Sequence, residues 1–260
     1  MPVAAGLHHV VHGRSGASAL GVLLVHGAGG THLHWPPPIR RLSGATVYAP
    51  DLPGHGRSPG PACETISDAA LSLIAFMDAV GLDNAAIVGH SMGSAIAMTM
   101  ALQFPGRVLG LALLGAASRL RVSSSIITAL QDPLALPAAI HLILDYSFSQ
   151  WASPRLRELA ERRANENPQA VWRADFLACD AFDATDHVSS LRVPVLLLAA
   201  SHDRMTPLRE AEGLKELIPQ ARLEVLKNCG HMMMLERPGA VTAALEAFVS
   251  GIIPRRPATA

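Results

Sequence analysis

Three features of the sequence predict an α/β fold, with a mostly parallel central sheet flanked by helices. Apolar runs of strand length alternate with segments of helical periodicity along most of the chain, the pattern of strand-helix-strand units. The runs themselves, Val22-Leu23-Leu24-Val25 among them, are continuous, as strands covered on both faces should be. Finally, the strand-like Ala86-Ile87-Val88 leads into Gly89-His90-Ser91-Met92-Gly93 and at once into a nearly all-apolar helical run, Ser94 to Leu102.

Taken in order, Val10 to Leu23 reads as an opening β-hairpin about a Gly/Ser-rich turn at Gly13 to Ser18. The strand at Val22 to Val25 ends in His26-Gly27-Ala28-Gly29-Gly30. A second, Ala45 to Ala49, ends in the turn-rich Asp51 to Ser58. Ile66, Ala70, Leu73, Met77 and Val80 make one helical face, stopped by Gly81. A strand at Val108 to Leu114 follows the Gly-x-Ser-x-Gly segment. From Ser118 to His187 the chain is helical in character, holds most of the aromatics and has no convincing strand. Residues 1–117 and 188–260 are therefore expected to form the core, with 118–187 a helical lid inserted after the strand at 108–114 and not an independent domain. Strand character resumes at Val193 to Ala199, a helix carries Leu208, Ala211, Leu214 and Ile218, and a strand spans Arg222 to Leu226. Val241, Ala244, Leu245, Phe248, Val249 and Ile252 mark an amphipathic closing helix, and the tail from Pro254 is expected to fray.

A chain of 260 residues, 50% hydrophobic, can bury a substantial core. Its 21 basic and 21 acidic residues cancel, and no long basic run tracks a phosphate backbone, which argues against a nucleic-acid partner. The start lacks a basic segment followed by an apolar core, and no run reaches the roughly 18 apolar residues of a membrane span. A soluble cytoplasmic protein without a membrane partner, monomeric or homodimeric, is expected. Cys63, Cys179 and Cys229 are odd in number and lack metal-ligand spacing, so free thiols are expected and no metal or cofactor.

Flanked by a buried strand and a buried helix, Gly-x-Ser-x-Gly fits a nucleophile elbow, a turn so tight that the serine projects above the sheet. A side chain at Gly89 or Gly93 would crowd the neighbouring strand or helix, and glycine also tolerates backbone angles that other residues avoid. The motif alone equally fits a strand-turn-helix with an incidental serine.

Four segments together are more specific: His26 to Gly30, Asp51 to Ser58, the turn at Ser91, and the late pair Asp203 and His231. The last two lie in Ser201-His202-Asp203-Arg204-Met205-Thr206-Pro207 and Gly230-His231-Met232-Met233-Met234. Over essentially its whole length the chain resembles α/β-hydrolase-fold enzymes of the serine-nucleophile type, which use the order Ser, Asp, His. The resemblance implies Ser91 as nucleophile. A serine hydroxyl needs an adjacent base, and imidazole, with a pKa of about 6.5, serves near neutrality. Among twelve histidines His231 is chosen, since it follows the last strand after a glycine. Asp203, just past a strand's C-terminal end, would orient it. Relatives can carry the acid one strand earlier, but Leu114 to Ser118 has no carboxylate, and Asp186 is the immediate rival. The N–H of Met92, the residue after the nucleophile, is expected as one oxyanion donor. The loop after the early strand implies Ala28 as the other, with Gly29 as second choice. Asp51 is expected to tie its own loop down, with Arg57 or Ser58. The Gly-rich loop lacks the patterns of a nucleotide site.

Substrate choice is expected of the lid. Phe148, Trp151, Trp172 and Phe176, with Met205 and Met232 from the late segments, are the candidate contacts to an apolar acyl or alcohol group. The arginines of the lid alternate with glutamates, which reads as a solvated helix face. The expected activity is hydrolysis of a carboxylic ester, lactone or thioester of a small molecule through an acyl-enzyme. A meta-cleavage C–C hydrolase, a cofactor-free perhydrolase or haloperoxidase, and a ligand receptor on the same scaffold are the alternatives.

Overall fold

The computed structural model describes residues 2–13 and 19–252. Most of the expected Gly13 to Ser18 turn, and the tail from Pro254, lie outside these residues. The first half contains strands β1 (Val3–Ala4), β2 (Leu7–His12), β3 (Leu20–Val25) and β4 (Ala45–Pro50), helix α1 (Ile66–Ala79), strand β5 (Ala85–His90), helix α2 (Met92–Gln103) and strand β6 (Val108–Leu114). Helices α3 (Ser124–Gln131), α4 (Leu136–Ser147), α5 (Pro154–Ala164) and α6 (Gln169–Ala181) come next. The chain then returns through β7 (Val195–Ala200), α7 (Leu208–Leu217), β8 (Arg222–Leu226), α8 (Met233–Glu236) and α9 (Pro238–Ile252).

Among the described residues the strands form one 8-stranded sheet in the order β1-β2-β4-β3-β5-β6-β7-β8. From β4 through β8 every neighbouring pair is parallel, and β1, β2 and β4 meet antiparallel. The expected hairpin between Val10 and Leu23 does not form, because β4 lies between its two strands, pairing His12 with Val47 and Leu20 with Ala45. Apolar content marks both strands but carries no information on their partner, which the crossover of β4 decides. The hairpin that does form joins β1 to β2 through Ala5 and Gly6, at φ 46 and 78, the paired positive angles of a tight two-residue turn.

Alternate residues of each central strand enter different cores, as the two-residue pleat requires. Leu23, Ile87, Leu111 and Leu197 face α1, α2 and α7, while Leu24, Val88, Ala112 and Leu198 face α9 and the fully buried Trp35. Thr65 starts α1 by accepting the N–H of Asp68 at 3.0 Å, an N-cap that supplies one of the first turn's missing acceptors. Helix α2 is buried on every side from Met92 to Ala101, which explains why its sequence shows no polar face. Helices α3 to α6 occupy the stretch between β6 and β7. Among the described residues no helix is long and apolar enough to cross a membrane, and the three cysteines are free thiols.

Candidate active site

The loops that follow β3, β5, β6, β7 and β8 converge at one edge, around a cavity of about 630 Å³ lined by Ala28, Ser91, His231 and Met232 among others. Ser91 sits between β5 and α2 at φ 54, ψ −119, a conformation costing about 1–3 kcal/mol for a residue with a Cβ. The flanking glycines make that turn possible by their size. A Cβ on Gly93 would lie 2.1 Å from the Val25 carbonyl oxygen, and one on Gly89 would lie 2.2 Å from that of Gly93. Neither glycine has positive φ, so close approach is the whole of their role and the expected conformational freedom is not used.

His231 Nδ1 lies 2.8 Å from Asp203 Oδ2, which leaves Nε2 to act as base. Asp203 is also anchored by the N–H groups of Met205 at 2.9 Å and Thr206 at 2.8 Å, and by the Thr206 hydroxyl at 2.9 Å. With its acceptor sites filled this way, the carboxyl group is held in one orientation. Asp186 lines the same cavity but is exposed and has no contact to His231 among the described residues. His90 carries out a task not visible in the sequence. Its Nε2 donates to the His231 carbonyl at 3.0 Å, and burial followed by the nearby His231 keeps its pKa well below the ordinary value. The loop of His231 is further stitched to the end of α4 and the residues after it: Met232 N–H donates to the Ser147 carbonyl at 3.0 Å, and Glu236 accepts from Gly230 N–H at 3.0 Å and from the Ser149 hydroxyl. Gly230 does not have positive φ. Its Cβ would lie 2.7 Å from the Ser149 nitrogen, so the glycine before His231 admits the neighbouring backbone.

Met92 opens α2, so its N–H has no intrahelical acceptor, and Ala28 N–H has no partner among the described residues. Both are free to face a developing oxyanion. Gly29 is not, because its N–H is taken by Asp175 Oδ2 at 2.7 Å. That removes Gly29 as an oxyanion donor. Of the expected substrate contacts, Phe176, Met205 and Met232 line the cavity. Trp172 packs behind Gly29, Phe148 is buried in the core beside α9, and Trp151 is 47% exposed against His202. These three aromatics lie outside the lining, since composition marks a side chain as apolar without telling which way it faces. His34, Ile143 and Arg119 line the cavity instead. His34 escaped sequence reasoning because it carries no motif.

His8, His32 and Asp51 approach closely enough to suggest a cation site, but the carboxylate is already saturated. Oδ1 takes the backbone N–H and Nδ1 of His32 at 2.7 and 2.8 Å, while Oδ2 takes His8 Nδ1 at 2.9 Å and Arg57 N–H at 3.1 Å. Burial pushes the Asp51 carboxyl up, yet the bonds from His32 outweigh it and hold the group well below the carboxylate range. With Ser58 donating to its carbonyl at 2.6 Å, Asp51 is a loop anchor.

A family model described as the alpha/beta hydrolase fold matches residues 22–238. The chain belongs to the α/β-hydrolase family. It is 30% identical, over 95% of its length and 96% of the relative's, to a Caulobacter sp. (strain K31) protein that bears the name carbamate hydrolase RutD. Among solved structures it is similar to a thermophilic esterase from Thermogutta terrifontis, with TM-score 0.86 and 24% identity over 95% of this chain and 94% of the other. It is also similar to the enol-lactonase from Burkholderia xenovorans LB400, with TM-score 0.87 and 23% identity over 94% and 96%. At these identities the two structures speak for the fold alone. Family and relative together make this α/β-hydrolase protein a hydrolase.

Proposed function

We propose that the protein is a serine hydrolase that cleaves a carboxylic ester, lactone or thioester of a small, largely apolar molecule through an acyl-enzyme. The observation that carries this reading is the Asp203–His231 contact of 2.8 Å beside a serine held at positive φ in the same cavity. Ser91 Oγ attacks the substrate carbonyl as His231 Nε2 takes its proton, and Asp203 stabilises the resulting imidazolium. Charge on the carbonyl oxygen meets the N–H groups of Ala28 and Met92, each such donor being worth about 3 kcal/mol. The tetrahedral intermediate then expels the alcohol or thiol, which leaves with the proton from His231. Water, activated by the same imidazole, hydrolyses the acyl-serine.

Ile143, Phe176, Met205 and Met232 give the cavity apolar walls, which suits an apolar acyl group, and helices α3 to α6 serve as the lid over it. A carbamate is the second reading, supported by the relative at 30% identity that bears that activity in its name. The same serine would attack the carbamate carbonyl. Initial rates on p-nitrophenyl esters, lactones and alkyl carbamates, for wild type and Ser91→Ala, test both readings. Wild type should cleave at least one class, and Ser91→Ala should lose it. Unchanged turnover in Ser91→Ala refutes the serine mechanism, and a preference for carbamates selects the second reading.

A further inference from the structure

The residue next to the free N–H of Ala28 is gripped by a segment distant in sequence. Gly29 N–H donates to Asp175 Oδ2 at 2.7 Å, and the Gly29 carbonyl accepts from Asn167 Nδ2 at 2.7 Å. A Cβ on Gly29 would lie 2.5 Å from Trp172 Cη2, so the indole covers the glycine face on. Asn167 lies two residues before α6, and Trp172 and Asp175 lie within it, so one stretch holds the N–H, the carbonyl and one face of a single residue, and with them the two peptide units that flank it. Asp175 is itself 2% exposed and absent from the cavity wall; it touches no substrate. Its Oδ2 also meets His55 Nε2 at 2.8 Å, while His55 Nδ1 lies 2.9 Å from the Pro53 carbonyl. Both ring nitrogens face oxygen acceptors, so a protonated His55 donates to both. Burial works against that charge, but the adjacent Asp175 outweighs it and His55 lies above its ordinary pKa.

The loop that presents Ala28 is closed at its base by a turn bond from the Gly30 N–H to the Gly27 carbonyl at 3.0 Å. Gly27, Gly29 and Gly30 surround the alanine, and Gly29 is at φ 60, a region it enters and leaves at small cost. An oxyanion donor works only if it is aimed before charge develops; the turn bond joins the ends of the loop and leaves the Gly29 N–H to Asp175, so part of the aim of Ala28 N–H comes from outside the loop. We propose that Asp175, together with Asn167, is a positioning residue for the oxyanion site: by clamping Gly29 on both its N–H and its carbonyl, it fixes the direction of the Ala28 N–H. Helix α6 is thereby part of the reaction machinery as well as a cover. This rests on the serine-hydrolase reading above.

The test is kinetic, with thermal melts to establish folding. Asp175→Leu should lower kcat on a p-nitrophenyl ester by about 100-fold, the effect of a misplaced group, with KM changed by less than about threefold. It should weaken an alkyl boronic acid, which mimics the tetrahedral intermediate on Ser91, by a similar factor. Asp175→Asn keeps an oxygen for Gly29 and should recover most of the loss, to within about tenfold of wild type. Asn167→Ala, at a half-buried surface of the helix start, should lose kcat about tenfold by the same selective pattern. A folded Asp175→Leu with wild-type kcat, or a loss wholly in KM, overturns the inference. If Asp175→Leu does not fold, Asn167→Ala with unchanged kcat and boronate affinity overturns it. Absence of esterase activity in wild type itself strikes instead at the serine-hydrolase reading.

Discussion

Asp203 takes three N–H or O–H donors besides its contact to His231, and these fix which of its atoms faces the imidazole. An amide at that position would turn a donor toward Nδ1 and trap the wrong tautomer of His231. Asp203→Asn is therefore expected to lower kcat by about 10⁴-fold, whereas Asp186→Asn, lacking any contact to the imidazole, should stay within about threefold; steady-state kinetics on one ester decide between them. The histidines also set the response to acid. His34 is pushed down to about 4, by burial first and by His55 second, so it remains neutral in the fold and gains a proton on unfolding below about 6.5. The unfolded chain binds more protons in that window, so stability is full above about 6.5 and is lost as pH falls toward about 4. His26 and His90, also lowered by burial first, add the same sign. His55 opposes them. Its pKa is raised, so its contribution is full below about 6.5 and is lost as pH climbs through the higher value. With His9 and His12 also lowered by burial first, five lowered histidines stand against one raised, so Tm measured by scanning fluorimetry should fall between pH 6.5 and 4.5, and His34→Gln should flatten that fall. Residue identity and order made Ser91, Asp203 and His231 legible. Asp175 was hidden because its bond to Gly29 spans 146 positions and Asp175 itself carries no motif.

Among the elements, the β5-turn-α2 unit was the most legible, because an apolar strand, two small residues and an apolar helix each independently require a tight buried turn. Its glycines differ in kind from those elsewhere. The Cβ of Gly93→Ala would meet main-chain oxygen at 2.1 Å, which no side-chain rotation relieves, so the variant should lose at least about 1–3 kcal/mol of stability. Gly213, inside α7, has nothing within 4 Å of its Cβ position, and Gly213→Ala should gain up to about 1 kcal/mol from helix propensity alone. Urea denaturation of the pair separates the two roles of one residue type. The helices between β6 and β7 were legible as helices, yet their faces were not. Phe176 points into the cavity while Trp172, four residues earlier on α6, buries itself against Gly29. Periodicity names a buried face without saying whether core or cavity lies beyond it.

At the level of the whole molecule, alternating strands and helices prescribe a parallel sheet, and the parallel sheet prescribes that its C-terminal loops share one edge. This is why Ala28, Ser91 and His231, far apart in sequence, come to a single cavity, with Asp203 behind His231. Strand order is a different kind of information. The β2–β4 pairing, which displaced the expected hairpin, follows from how the crossovers wind, and single-strand composition is silent on it. The central claim is that this edge of the sheet activates Ser91 as a nucleophile, and acid quench followed by mass spectrometry tests it most directly. Protein mixed with p-nitrophenyl acetate and quenched within its first turnovers should carry one acetyl group, mapping to the peptide that contains Ser91. Turnover of the ester with no adduct there, or with the acetyl group on another residue, would contradict the account.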